Sequence, residues 1–339
     1  MHHGDVTPQI AQGLLALQAR IKAAGIPPSQ LDETLNFAVW NIREFGKKPR
    51  TDAAIHYLAE ILGQFDLIAL VELRNDLSDL GRVRRYLGDY WDVVYSDWID
   101  DGGGNNERIA YLFDTRAAVF NGLAAEVDAP RAKKAEEYLA AQSFWRAPYL
   151  CSFRAGNFDF VVITTHARWG DSLKGRQAEL QMLADWIDVR FQTRYVEDHD
   201  LIVGGDFNIP QLDDALFKAL TSRGLEIPEP LRQLKCGDQI IGGTNLAGTA
   251  RYDQILHRPT VKNQSKPGGD AADDFVVTAG GALDFFKGGA MMKKLFPDQN
   301  YTPEQFSYQL SDHLPLWIQI KTDIDGIRLD QIIQASRKT

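Results

Sequence analysis

The chain has 339 residues, 44% of them hydrophobic and 24% charged, with a formal net charge of −9 at pH 7. That is enough chain to assure a sizeable core, in one large or two modest domains, and the composition is that of an ordinary soluble globular protein. The acid excess excludes nucleic-acid binding by counterion release alone, so a polyanion would have to be met by a local basic face and metal ions.

Residues 8–24 have helical apolar spacing and end at Gly25 and two prolines, which predicts a helical extension occupying residues 1–30. From Leu35 to Ile42 the pattern is that of a strand. A helix is expected at about 52–63, a buried strand at 66–72, a helix at about 76–87 and strands near 91–96 and 108–114. Residues 100–106 read as a flexible connection. In the second half, strands at about 148–154 and 158–166 precede a helix at about 173–192. Leu201-Ile202-Val203 then runs as a buried strand into Gly204-Gly205-Asp206-Phe207-Asn208, with a short helix at 213–220. Tyr252 to Leu256 and Leu314 to Ile320 read as two further strands. Between them, about 258–274 is polar and contains Gly and Pro, as a long surface insertion would. It is followed by Leu283, Phe285, Phe286, Met291, Met292, Leu295 and Phe296, which read as an ordinary packed helix and strand or as a lid or membrane-touching surface. No repeat and no linker interrupts this order. Two packed sheets covered by helices are expected, as one domain over 35–320 with a tail over 321–339.

No apolar stretch approaches the roughly 18 to 20 residues that span a bilayer, so no stable membrane insertion is expected. No signal peptide is visible in Met1-His2-His3-Gly4-Asp5, and the expected location is the cytoplasm, or outside the cell with a signal removed. Cys151 and Cys236 are isolated and make no metal pattern. Basic residues cluster at Lys47, Lys48 and Arg50, at Arg82, Arg84 and Arg85, and at Arg168, Lys174 and Arg176. Each group reads first as a solvated helix face or loop and second as a phosphate track.

The polar residues that close apolar strands form an unusual set. Asn41 ends the first strand, Glu72 the second and His166 the strand Val161 to Thr165. Asp206 and Asn208 end another, Asp253 starts one, and Asp312 and His313 precede the last. Singly, each has a plain structural explanation: a cap for Asn41 or Asp312, a rim carboxylate for Glu72, a satisfied core imidazole for His166. Together at strand tips they mark the place where active sites gather in layered folds.

Trp40-Asn41-Ile42, Val71-Glu72-Leu73-Arg74, Thr165-His166, Gly205-Asp206-Phe207-Asn208, Tyr252-Asp253-Gln254-Ile255 and Ser311-Asp312-His313-Leu314-Pro315 occur in this order. In this the chain resembles the endonuclease/exonuclease/phosphatase superfamily. That resemblance implies a four-layered α/β sandwich, two mainly antiparallel sheets flanked by helices. Within the superfamily the motifs are most similar to those of deoxyribonuclease I. Arg74 stands two residues after Glu72, where the nuclease places a groove-entering arginine. Glu107-Arg108 leads into the strand of Tyr111, and Arg146-Ala147-Pro148-Tyr149 resembles an arginine-containing approach to the central strand.

The resemblance implies phosphodiester hydrolysis by in-line attack of water, without a covalent intermediate. It implies a divalent cation, Mg²⁺ or else Mn²⁺ or Ca²⁺, on Glu72 with Asp312 and Asn41, all hard oxygen donors. His166 and His313 would move protons, oriented by Glu107 and Asp253 respectively. Asp206 would handle the water and Asn208 hold a phosphate oxygen. Arg74, Arg108, Tyr111 and Arg146 would bind substrate, with a structural ion pair as the alternative for Arg108. DNA is the expected substrate of a monomeric endonuclease. The alternatives are a sphingomyelinase-like phosphodiesterase or phosphatase acting on a lipid head group or small phosphoester, and a non-catalytic binding protein on the same fold.

Overall fold

A computed structural model describes residues 2–98, 106–134, 137–140, 142–170, 172–193, 195–196, 198–259 and 275–337. The connection expected at 100–106, save Asn106, and nearly all of the insertion expected at 258–274 lie outside them. In chain order the strands are β1 (Thr34–Phe45), β2 (Leu67–Leu73), β3 (Trp91–Tyr95), β4 (Arg108–Asp114), β5 (Val119–Glu126), β6 (Arg131–Lys134), β7 (Glu137–Ala140) and β8 (Tyr149–Ala155). They continue as β9 (Phe158–His166), β10 (Leu201–Asp206), β11 (Lys235–Cys236), β12 (Gln239–Ile240), β13 (Asp253–Arg258), β14 (Val277–Ala282) and β15 (Leu316–Lys321). Two sheets carry the fold, a six-stranded one ordered β14-β15-β1-β2-β4-β3 and a five-stranded one ordered β13-β10-β9-β8-β5. Only the pairs β1/β2 and β9/β10 are parallel within them. This is the mixed α/β sandwich of mainly antiparallel sheets that the sequence led us to expect.

The helices are α1 (Pro8–Ala24), α2 (Asp52–Leu62), α3 (Ser78–Leu87), α4 (Leu173–Phe191), α5 (Ala215–Leu220), α6 (Glu229–Arg232), α7 (Met292–Leu295), α8 (Pro303–Ser307) and α9 (Asp325–Ser336). Their starts follow local chemistry. Thr7, Thr51 and Ser172 each accept a hydrogen bond from a first-turn N–H of α1, α2 and α4, satisfying a donor the helix itself cannot. Helix α1 is bound into the common core through Leu14, Leu17 and Ile21, each worth about 1.5–3 kcal/mol when fully buried. The stretch expected as a tail carries α9.

Leu283, Phe285, Phe286, Met291, Leu295 and Phe296 are all buried, and Phe285 meets Trp40 edge-on at 5.7 Å between centroids. The lid or membrane-touching reading of this segment is therefore corrected: its apolar side chains fill the space under α1 and β1. Among the described residues no helix is long and apolar enough to cross a membrane.

Strand direction decides where the site lies. The two sheets pack face to face through β1, β2, β10 and β13. The parallel pairs put the C-terminal ends of β1 and β2, and of β9 and β10, together. Antiparallel β13, β15, β4 and β8 bring their N-terminal ends to the same levels. Register then aligns Asp206 with His166 on one side and with Asp253 on the other.

Candidate active site

At that edge one carboxylate gathers the rest. Asp206 is buried, and its Oδ1 accepts the Asn208 N–H at 2.9 Å. Its Oδ2 accepts from Asn41 Nδ2 at 3.0 Å and faces His166 Nε2 at 3.6 Å and His313 Nε2 at 3.7 Å. Each imidazole is held from behind by its other nitrogen: His166 Nδ1 lies 2.7 Å from Glu107 Oε2, and His313 Nδ1 lies 2.8 Å from Asp253 Oδ2. A carboxylate on Nδ1 fixes the tautomer and leaves Nε2 aimed at the reacting groups.

The backbone builds this arrangement locally. Ser311 donates its hydroxyl to the Asn41 carbonyl at 2.5 Å and accepts the His313 N–H at 3.0 Å, while the Trp40 indole donates to the His313 carbonyl at 2.8 Å. The Trp-Asn and Ser-Asp-His motifs, far apart in sequence, are thus one hydrogen-bonded unit. Glu72 and Asn208 both sit at positive φ (65° and 52°), a backbone state costing roughly 1–3 kcal/mol that clusters at functional sites.

These contacts set the protonation states. Burial alone would raise the Asp206 carboxyl, but the His313 and His166 charges, the Asn208 N–H and the Asn41 amide bring it below the usual carboxylate range. Burial opposes a charge on His313, yet the Asp253 and Asp206 carboxylates outweigh it and lift its pKa well above the ordinary histidine value. His166 is pushed down by burial and by Arg146 but ends raised, through Glu107 and Asp206. The Glu107 carboxyl is pushed up by burial and held down at about 2 by His166, Arg146 and Arg74.

Glu107 therefore makes a pH-dependent contribution to stability. A carboxyl whose folded value is depressed stabilises the fold above its unfolded value of 4.5, and the effect is lost as pH falls toward about 2. Glu107→Gln is expected to cost on the order of 2–3 kcal/mol near neutral pH and under about 1 kcal/mol well below the unfolded value. Urea unfolding of both proteins at the two pH values checks this.

The oxygens at Asn41, Glu72 and Asp312 suit a hard divalent cation. Asn41 Oδ1 is buried with no hydrogen-bond partner, although its Nδ2 donates to Glu72 Oε1 at 2.9 Å. The Asp312 carboxyl is raised by burial and by the Glu72 charge, against His313 and Arg43. A carbonyl oxygen without a partner and two carboxylates whose charges oppose one another are hard donors that could hold a divalent cation. Asp206, Asp253 and His313 also offer ligand atoms within 4.8 Å of one another. There the Asp253 carboxylate already meets His313 Nδ1 at 2.8 Å and gives the imidazole an orienting partner.

Three expectations need correction. Tyr111 is fully buried and donates its hydroxyl to the Tyr149 carbonyl at 2.7 Å, in the inter-sheet core rather than toward substrate. Arg74 is buried, its guanidinium paired with Glu44 at 3.0 Å and facing Glu107 at 3.7 Å, so it is not presented to a groove. Arg108 pairs with Asp97 at 3.1 Å and stacks on Tyr95, which is the structural ion pair that was its alternative. Arg146 grips Glu107 at 2.8 Å and so reaches the site through that carboxylate.

The motif reading also passed over supporting residues. Arg43, two positions beyond Asn41 on β1, lies over the Tyr308 ring at 3.9 Å and faces Asp312 at 3.8 Å. Tyr252 flanks His313 with 5.9 Å between ring centroids, and the Arg176 guanidinium donates to the Asn208 carbonyl at 3.1 Å. The i, i+2 spacing of Arg43 from Asn41 was a usable signal, while Tyr252 stood in the Tyr-Asp-Gln-Ile motif and Arg176 in a basic cluster without a role being given to either.

Comparison with known proteins places the fold. Residues 38–313 match the model of the Endonuclease/Exonuclease/phosphatase family. A deoxyribonuclease from Thioalkalivibrio sp. (strain K90mix) is 31% identical over 196 residues, 55% of this chain and 50% of that protein. The chain thus spans about half the length of this curated relative. An endonuclease/exonuclease/phosphatase family protein from Bacteroides thetaiotaomicron superposes with a TM-score of 0.54 at 17% identity, over 86% of this chain and 99% of the other. A mannosyl-6-phosphatase from B. thetaiotaomicron VPI-5482 does so with a TM-score of 0.52, also at 17% identity, over 84% and 99%. At such identities the likeness is one of fold.

Proposed function

Since the chain belongs to the endonuclease/exonuclease/phosphatase family, whose members hydrolyse phosphoester bonds, we propose that it is a metal-dependent DNA endonuclease of the deoxyribonuclease I type. The observation that carries the reading is the convergence of two carboxylate-backed imidazoles on Asp206 Oδ2, at 3.6 and 3.7 Å. The deoxyribonuclease relative supports DNA as the substrate. The burial of the apolar segment 283–296 takes away one of the two features that favoured a lipid head group, the other being the net charge of −9.

In this mechanism Asp206, kept ionised by its two histidines, orients the attacking water and accepts its proton. One protonated imidazole donates to the leaving oxygen, and the other faces the developing phosphoryl charge. Glu107 and Asp253 hold the rings so that only Nε2 meets the substrate. The Asn208 side-chain amide donates to the Ala167 carbonyl at 2.9 Å, which ties the tip of the Gly-Asp-Phe-Asn turn to the end of β9. When bound, a divalent cation on Glu72, Asn41 and Asp312 supplies neutralisation of phosphoryl charge.

The test is nicking of supercoiled plasmid with Mg²⁺ and with EDTA, run beside hydrolysis of lipid and nucleotide diesters. Conversion to open circles that needs Mg²⁺ and stops with EDTA is the expected result. Hydrolysis confined to a small or lipid diester would overturn the nuclease assignment.

A further inference from the structure

The basic groups noted in the sequence have different fates. Arg50 is buried and donates to the Arg43 carbonyl, Arg82 pairs with Asp52 and Asp79, and Arg84 pairs with Asp92. Among the described residues, Arg168, Lys174 and Arg176 pair with no carboxylate; Arg168 lies two residues past the end of β9, Arg176 reaches the Asn208 carbonyl at 3.1 Å, and Lys174 is exposed on the first turn of α4. Two tryptophans stand with them facing solvent, Trp145 at 52% exposure and Trp169 at 74%. The Arg168 guanidinium lies over the Trp145 ring at 4.6 Å.

The backbone under Trp145 and Arg168 is held in place. Buried Glu179 on α4 accepts the Trp145 N–H at 2.7 Å and the Arg168 N–H at 3.0 Å, so one carboxylate fastens both loops. Trp169 follows His166 by three residues, and Trp145 immediately precedes Arg146, which grips Glu107 behind His166. Exposed indoles on a fastened frame beside a catalytic histidine offer flat π faces together with positive charge. In a duplex the base faces are already covered by stacking, so a surface of this kind suits a base that has left the stack.

We propose that Trp169 and the Arg168–Trp145 pair form a stacking platform for an unpaired base next to the scissile phosphate, with Lys174 taking a neighbouring backbone phosphate. The substrate class is then single-stranded or frayed DNA in preference to blunt duplex. This rests on the nuclease reading above.

The test compares cleavage of a single-stranded oligonucleotide, the same strand in a blunt duplex, and a strand with abasic residues flanking the cut site. Wild type is expected to favour the single strand in kcat/KM by about 10-fold or more. Trp169→Ala should raise KM for that strand about 10-fold with kcat nearly unchanged, Trp169→Phe should restore most of the loss, and Trp169→Leu should not. Abasic flanks should raise KM for wild type by a similar factor and add little in Trp169→Ala. Cleavage by wild type with an unchanged KM in Trp169→Ala overturns the platform and leaves the nuclease reading standing. If wild type cuts no nucleic acid, the nuclease reading fails and tryptophan fluorescence decides the platform. Quenching by the single strand that Trp169→Ala diminishes supports it, and no quenching overturns it. Co-sedimentation with phosphatidylglycerol vesicles through Trp169, without oligonucleotide binding, overturns it in favour of a membrane surface.

Discussion

Asp206→Asn is expected to lower kcat by about 10³-fold on any phosphodiester the protein cuts, with KM changing only a few-fold. The substitution keeps shape and the bond from the Asn208 N–H but sets its amide against the Asn41 Nδ2 donor, so the fold should persist at a cost of about 1–3 kcal/mol. It removes the negative charge that both imidazoles face and the group assigned to take the water's proton. A second readout follows from linkage. The Asp206 carboxylate is among the charges that lift His313 and His166. Without it both histidines should lose their protons at lower pH, visible by NMR titration of the imidazole carbon-bound protons. A raised histidine pKa stabilises the folded state below its unfolded value of 6.5, and that stabilisation is lost as pH rises through the folded value. The variant should therefore lose this contribution earlier on the alkaline side. Turnover above about a tenth of wild type would remove Asp206 from the chemistry, since general acid–base groups typically contribute 10²–10⁴-fold.

Gly205→Ala is expected to destabilise the protein by roughly 4 kcal/mol, combining overpacking with a backbone state that L side chains rarely adopt. Gly205 has φ of +135°, and a Cβ there would lie 2.1 Å from the Thr165 carbonyl oxygen on the parallel neighbour β9. Backbone cannot swing aside as a side chain can. Relief would have to come from parting β9 and β10, the strands that align His166 with Asp206. Activity in the fraction that folds should fall with stability. By contrast, a Cβ on Gly204 would clash with the Val39 side chain, at 2.7 Å from Cγ1, and make ordinary contacts with the Gln254 carbonyl and Phe37. Gly204→Ala should therefore cost less, because Val39 can repack. Urea unfolding of the two variants gives the ranking, and equal losses would refute the backbone-clash argument.

The two glycines show why part of the site was legible in the sequence. An apolar run ending on Gly-Gly-Asp announces a buried strand whose tip must fit tightly and carry an acid. The same holds for Asn41, Glu72, His166, Asp253 and His313. A strand's alternation and its polar terminus are local properties, written in neighbouring residues. The order of motifs then carried the fold, and the pairings of His166 with Glu107 and His313 with Asp253 came through resemblance.

What local pattern could not decide was which way long side chains turn. Arg74 and Arg146 both stand next to site motifs, and both turn toward Glu107, Arg74 buried between Glu44 and Glu107 and Arg146 half-buried behind His166. Tyr111, on a strand that begins at the site, ends in the inter-sheet core because side chains of a strand alternate faces. The apolar segment 283–296 is core because α1, Trp40 of β1 and Phe306 of α8 pack against it. Conversely, Trp145 and Trp169 look like core residues by type and stand in solvent, because Glu179 fastens their loops at the rim. Residue type and spacing determined the central strands and their polar tips, but not the edge strands β5 and β14, which took their places by pairing with β8 and β15. Exposure and partner choice are set by elements distant in sequence, so only the packed sheets and helices decided which arginines are free to meet a phosphate and which are spent in holding the site together.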